Sequence, residues 1–186
     1  RDKDIIGNDV VCTLGSLNLV NVVEKGLVQK SVEVGMESLS KVTELMYLPF
    51  LPSVQKANDE WREVGLGVLN LHGLLAKNQI SYGSKQALDL VNSLFSAINY
   101  HSIKSSMKQA KDKTPFKDFD KTDYANGNYF EQYVNKSYQP ITKKAQKVLE
   151  KVYIPTQEDW EELSKEVQKY GLYNNVRLAI APTQSI

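Results

Sequence analysis

A single thiol and one short hydroxyl-bearing loop are the groups in this chain best suited to chemistry. Cys12 lies in Asp9-Val10-Val11-Cys12-Thr13-Leu14-Gly15-Ser16-Leu17-Asn18, and Pro182-Thr183-Gln184-Ser185-Ile186 follows Arg177-Leu178-Ala179-Ile180-Ala181. In each place a short apolar run delivers small polar residues to its end, as the parallel strands of α/β enzymes present groups to a ligand. A thiol at the C-terminal end of such a strand offers redox exchange or nucleophilic attack. No Cys or His stands near Cys12 in sequence to act as its base, although distant His72 is a candidate. The bland alternative is a core cysteine on a buried strand. In the second segment, backbone N–H groups and hydroxyls leading into a helix N-terminus make an anion site. The alternative there is a turn or a helix cap.

Other constellations carry less. Gly65-Leu66-Gly67 has the first two glycines of a dinucleotide fingerprint but no third at the needed spacing, so close backbone packing is the better reading. Asp118, Asp120 and Asp123 alternate with lysines, as in a solvated loop rather than a metal site. His72 and His101 have no ligand spacing between them. The ten tyrosines invite a radical-transfer role, and none is assigned one.

The elements that position these groups follow from length and patterning. The 186 residues suit one domain or a large part of one. The formal net charge of +1 supports neither a nucleic-acid field nor a polybasic membrane surface. No apolar run is long enough to span a bilayer, and no signal peptide opens the chain. One cysteine excludes an internal disulfide framework and makes a reducing, cytoplasmic setting the default.

Residues 9–14, with β-branched Val10, Val11 and Thr13, read as a buried strand that Gly15-Ser16 breaks. A short helical turn over 17–23 closes at Gly26. From 27 to 48 the spacing becomes helical, with Val28, Val32, Met36, Leu39, Val42 and Met46 as its stripe and Pro49 and Pro52 ending it. Ser53 is placed as the cap of a second helix reaching 63. Residues 64–71 contain a strand-like turn, and 72–77 turn helical up to Asn78. Ser84 caps the longest helix, 84–113, with Leu88, Val91, Phe95, Ile98, Ser102 and Met107 as its stripe. A loop over 114–128 follows, then helices over 129–135 and 141–152. The last helix starts at the Thr156 cap, carries Trp160, Leu163, Val167 and Tyr170 inward, and stops at Gly171. Residues 177–181 form a closing strand. The class is α/β with helix in excess. So few parallel strands would leave exposed edges.

Three segments in this order resemble one family: Val11-Cys12-Thr13-Leu14-Gly15-Ser16-Leu17-Asn18, Val64-Gly65-Leu66-Gly67-Val68-Leu69-Asn70-Leu71-His72-Gly73, and Tyr170-Gly171-Leu172-Tyr173-Asn174 continuing to Ala181-Pro182-Thr183-Gln184-Ser185-Ile186. Together they resemble the large catalytic subunit of class I ribonucleotide reductase, most closely class Ib. The resemblance covers essentially the whole chain but only the central to late part of that subunit's catalytic barrel. It implies a partial segment of a ten-stranded α/β barrel, incomplete at both ends. It implies that Cys12 is one of a pair of redox-active thiols that reduce the substrate, its partner lying on an earlier strand outside this sequence. The thiyl-radical cysteine of the family is likewise outside it. Thr183, Gln184 and Ser185 are implied to contact the substrate diphosphate, with Pro182 and Ile186 fixing the loop. Many relatives carry Gly at the position of Gln184.

No cofactor is implied on this chain. The family's dimetal–tyrosyl radical belongs to a small partner subunit. The other implied partners are a ribonucleoside diphosphate, a glutaredoxin-like or thioredoxin-like reductant, and a second large subunit in a homodimer. Reduction of a ribose hydroxyl draws two electrons from two thiols. One cysteine cannot supply them, so the isolated polypeptide is expected to be inactive. A natural split subunit that assembles with other fragments is one variant of this reading. From a different class, a helical binding or assembly module without chemistry fits the amphipathic helices. In such a module Cys12→Ala would carry only a packing cost, and Cys12→Ser more through a buried hydroxyl.

Overall fold

The computed structural model describes residues 9–183. A small parallel sheet is covered on one face by helices. Its first strand, β1 (Thr13–Asn18), runs directly into α1 (Leu19–Glu24), which Gly26 terminates at φ +64°. Helix α2 (Val28–Leu45) follows, then α3 (Pro52–Trp61), β2 (Val64–Leu69), α4 (Leu71–Lys77) and the long α5 (Lys85–Asp112). Short 3-10 turns at Phe119–Lys121 and Asn128–Phe130 interrupt the following loop. Then come α6 (Glu131–Val134), α7 (Lys143–Val148) and α8 (Gln157–Tyr170).

Strand β1 pairs with β2 in parallel from Thr13–Val64 to Asn18–Leu69. Residues 176–179 extend the ladder on the other side of β2. Leu66 N–H donates to Arg177 O at 2.9 Å, and Ala179 N–H donates to Leu66 O at 3.2 Å. The expected closing strand over 177–181 is thus reduced to one bridge, Leu66–Leu178. Gly65 and Gly67 have the packing role expected of them. A Cβ at Gly67 would lie 2.2 Å from Ala179 O, so only a hydrogen admits the third segment.

The first strand departs from its expected limits of 9–14. It starts later and passes through Gly15-Ser16 without a break. The cause is its neighbour. Helix α3 ends at Trp61, and Arg62 turns left-handed at φ 48°, so β2 offers ladder partners only from Val64 onward. Gly15 and Ser16 then pair with Leu66 and Gly67 and stay extended.

The helix ends show which side chains decide them. Pro52 occupies the first turn of α3, and Ser53 does not cap it; its hydroxyl donates to Asp9 Oδ2 at 2.6 Å. Ser84 caps α5 by accepting from Ala87 N–H at 3.2 Å. Thr156 and Asp159 form a reciprocal capping box on α8. Helix α2 turns Val28, Val32 and Met36 inward, but its buried face then passes to Ser40 and Thr43, leaving Val42 exposed.

One core lies between the sheet and helices α2, α4 and α5, centred on Met36, Leu66, Leu74, Leu90 and Leu94. A second joins the far half of α5 to α8 through Ile103, Phe130, Trp160, Leu163 and Val167. Helix α5 is buried on every side over residues 96–103, because it crosses between the two cores. Its expected stripe holds at Ile98, Ser102 and Met107 but misses at its start, where Leu88 is exposed and Leu90 and Leu94 are buried.

Asn174 ties these layers to the segment that continues past β2. It is fully buried, accepts from Ser106 Oγ at 3.0 Å, and donates to Ser40 Oγ at 3.0 Å and Arg62 O at 2.9 Å. Its own backbone N–H donates to Ser106 Oγ at 2.9 Å. Asn174→Ala strands these partners without solvent. Urea unfolding is expected to show a loss of about 2–3 kcal/mol; a loss below about 0.5 kcal/mol would contradict the hub.

Candidate functional site

Cys12 stands one residue before β1, at the N-terminal edge of the sheet. This corrects its expected position at the C-terminal end of a strand. The residues ahead of Thr13 have no strand beside them, for the reason given by Arg62. The thiol is also exposed rather than buried in a core. Val10, Cys12 and Leu14 are exposed in alternation with half-buried Val11 and Thr13, so the odd-numbered pair turns toward the helices and the even-numbered residues away. Leu14 is 52% exposed on that open face.

Gly65 keeps this face clear. A Cβ there would lie 3.2 Å from Cys12 Sγ and 2.9 Å from Ala179 Cβ. Three chain segments therefore converge over one notch: the start of β1, the middle of β2, and the third segment that runs on to the loop at 182–183. Partial burial pushes the Cys12 thiol above its ordinary pKa, and the Glu63 carboxylate adds to the shift. At neutral pH the sulfur is therefore protonated. Such a thiol suits coupled electron and proton donation better than rapid nucleophilic attack.

Pro182 is exposed and Thr183 half-buried, where the third segment runs on past its ladder with β2. Gln184, Ser185 and Ile186 lie outside the described residues. Cys12 and Thr183 thus belong to opposite edges of the sheet, with Gly65, Gly67 and Ala179 between them. A ligand touching both would lie across the open face.

A ribonucleotide reductase barrel-domain family model matches residues 3–186. The chain belongs to this family. It is 41% identical over its whole length to the ribonucleoside-diphosphate reductase subunit alpha of Bacillus subtilis, covering 27% of that protein. It is 42% identical to the NrdEB subunit alpha of the same organism, over 99% of this chain and 17% of that protein. It is 43% identical to the subunit alpha of Mycoplasma pneumoniae, over 97% of this chain and 26% of that protein. The chain thus spans about a quarter or less of the length of these relatives.

As a ribonucleotide reductase barrel segment, the chain has polar groups at the sheet's C-terminal edge that sequence reasoning left without a role. Strand β1 ends in Asn18, and Asn70 follows β2, their side-chain amides meeting at 3.5 Å. Asn70 is left-handed at φ 64°, and Gly73 leaves space for its side chain. The matching Leu-Asn-Leu triplets at 17–19 and 69–71 were the available signal. Other candidates recede into structure. His101 is buried against Tyr100, and burial lowers its pKa to about 4, leaving it neutral in the core. Asp118 pairs with Lys121 at 2.6 Å on the surface. No helix among the described residues is long and apolar enough to cross a membrane.

Proposed function

We propose that this chain forms part of the substrate-reducing barrel of a class Ib ribonucleoside-diphosphate reductase. The observation that carries the reading is Cys12, exposed on the open sheet face above the Gly65 notch, in a chain of this family. Further strands complete a ten-stranded barrel over that face. The half-exposed Val10 and Leu14 supply apolar surface for them. Cys12 and a second thiol from the remainder of the alpha subunit give two electrons to the ribose C2′ of a ribonucleoside diphosphate. The C–O bond is replaced by C–H, water leaves, and the two sulfurs form a disulfide. A thioredoxin-like or glutaredoxin-like dithiol reopens it.

Thr183, with Gln184 and Ser185, holds the diphosphate through hydroxyl and backbone donors, and Pro182 and Ile186 fix the loop's course. The initiating radical comes from the dimetal–tyrosyl centre of a small subunit. The whole enzyme works as a cytoplasmic assembly around a homodimer of alpha subunits.

The reading is tested by paired assays with the small subunit, a dithiol reductant and a ribonucleoside diphosphate. A complete alpha subunit bearing this sequence is expected to form deoxyribonucleotide, and the 186-residue polypeptide alone to form none. Product from the polypeptide alone, or none from the complete subunit, would overturn it.

A further inference from the structure

One charge interrupts the closing apolar run Val176-Arg177-Leu178-Ala179-Ile180. A guanidinium keeps its charge in a protein interior and carries a fork of N–H donors with it. Arg177 is nevertheless buried, with 5% of its surface exposed. Its Nη2 donates to the Tyr124 hydroxyl at 2.7 Å, and the guanidinium lies 4.9 Å from the centre of that ring. Tyr124 is held in turn. Its ring is 4.1 Å from that of Tyr129, whose hydroxyl accepts from Asn99 Nδ2 at 2.9 Å. Among the described residues, Nε and Nη1 of Arg177 have no hydrogen-bond partner, and no carboxylate pairs with the charge.

The other described arginine meets the same demand within the chain. Arg62 donates through Nε to Tyr173 O at 3.0 Å and through Nη2 to Pro115 O at 2.6 Å and Thr114 O at 3.2 Å. For Arg177, one phenol and one ring recover only a fraction of what water supplied, and two idle donors on a buried cation are unfavourable. They call for an oxyanion from outside these residues. The backbone shows where it can approach. Arg177 O and Ala179 N–H are both engaged by Leu66, on the β2 side. Leu178 stands between them and makes no backbone hydrogen bond among the described residues, so its N–H and C=O face away from β2 along an unpaired edge. A further segment along that edge would set its side chains beside those of 177–179. The relatives hold ample chain for one, since this sequence covers 27% of the Bacillus subtilis alpha subunit.

We infer that Arg177 is one half of a buried ion pair, and that its partner is an Asp or Glu carboxylate on a segment of the complete alpha subunit that adds to this open edge. The inference rests on the reading of this chain as one part of an alpha-subunit barrel. The carboxylate accepts from the idle donors of Arg177, while Tyr124 keeps the guanidinium in place from the other side. The pair is a joint between this chain and the rest of the subunit. It also explains why a charge is tolerated in an otherwise apolar closing run.

Carbodiimide coupling in a complete alpha subunit tests the pair. Arg177→Lys keeps the charge and offers an amine, which a carbodiimide joins to a touching carboxylate as an amide; the water lost converts the carbodiimide to a urea. Peptide mapping by mass is expected to find position 177 joined to one Asp or Glu outside residues 1–186. In the parent subunit a carboxyl group outside these residues is expected to resist labelling by carbodiimide and glycinamide, and Arg177→Met to speed its labelling by about fivefold or more. That gain supports the pair even where the shorter lysine makes no link. A link only to carboxylates within residues 1–186, or no link together with unchanged labelling in Arg177→Met, would overturn it. So would millimolar inorganic phosphate raising the Tm of the parent but not of Arg177→Met, which would make the partner a free anion. Failure of the barrel reading would appear separately, as an unmodified complete subunit that forms no deoxyribonucleotide.

Discussion

In a complete alpha subunit, Cys12→Ser and Cys12→Ala are each expected to reduce dithiol-coupled turnover to background without loss of folding. Each variant removes one of the two sulfurs that a disulfide product requires, and no other cysteine occurs in this chain to replace it. The structure sharpens this contrast. A core cysteine would make the serine variant the less stable one, through a buried hydroxyl. Cys12 is exposed at the start of β1, so a hydroxyl there keeps its water. Both variants of the 186-residue chain should therefore unfold within about 0.5 kcal/mol of the parent in urea. Retained turnover would remove Cys12 from the chemistry. Lost turnover accompanied by a stability loss of several kcal/mol would reassign it to packing.

Gly67→Ala is expected to have the largest structural effect. Its Cβ would fall 2.2 Å from the carbonyl oxygen of Ala179, and a backbone atom cannot rotate aside. The third segment must then leave β2, breaking the bonds between Leu66 and residues 177 and 179 and displacing the loop at Pro182 and Thr183. Overpacking of this kind costs about 3 kcal/mol. Urea unfolding should show that loss, and hydrogen exchange should show Ala179 N–H losing protection. In a complete subunit the same change should raise KM for the ribonucleoside diphosphate, because the loop that would hold the phosphates has moved. Gly15→Ala is the matched control. Its Cβ would meet the side chains of Leu39 and Leu66 at 3.6 and 3.8 Å, which are ordinary contacts, and little change is expected. Equal stability of the two variants would refute the close approach at Gly67.

Local signals were legible where one side chain settles the outcome. Ser84 and Thr156 cap helices because their hydroxyls reach backbone N–H groups three residues on. Gly26 and Gly171 end helices at positive φ. Asn78 follows the last residue of α4. Where a neighbour settles it, sequence reading failed. Nothing in residues 9–18 reveals that β2 begins only at Val64, so the strand was set too early and Cys12 at its wrong end. Ser53 has the right chemistry for a cap, but Pro52 already starts α3. Helix α5 hides its inner face because Ser96, Asn99, His101 and Ser102 are buried in company with its leucines. Asn99 is placed there by donating to the hydroxyls of Tyr129 and Tyr133 at 2.9 and 3.0 Å.

The candidate site divides in the same way. Cys12 and the Pro182-Thr183 loop were recognisable from residue type and family resemblance. The open face that Cys12 shares with Gly65 was not, because it arises only from the parallel pairing of β1 with β2. Asn18 and Asn70 stood in the matching segments, yet their meeting at one edge of the sheet depends on the same register.

The central claim is that Cys12 is oxidised against a second thiol as substrate is reduced. The direct measurement is peptide mapping by mass spectrometry after a complete alpha subunit turns over a ribonucleoside diphosphate without added reductant. The peptide bearing Cys12 is expected to be disulfide-linked to a peptide from the remainder of the subunit, in step with deoxyribonucleotide formed. Product formation with Cys12 recovered as a free, alkylatable thiol would contradict the account.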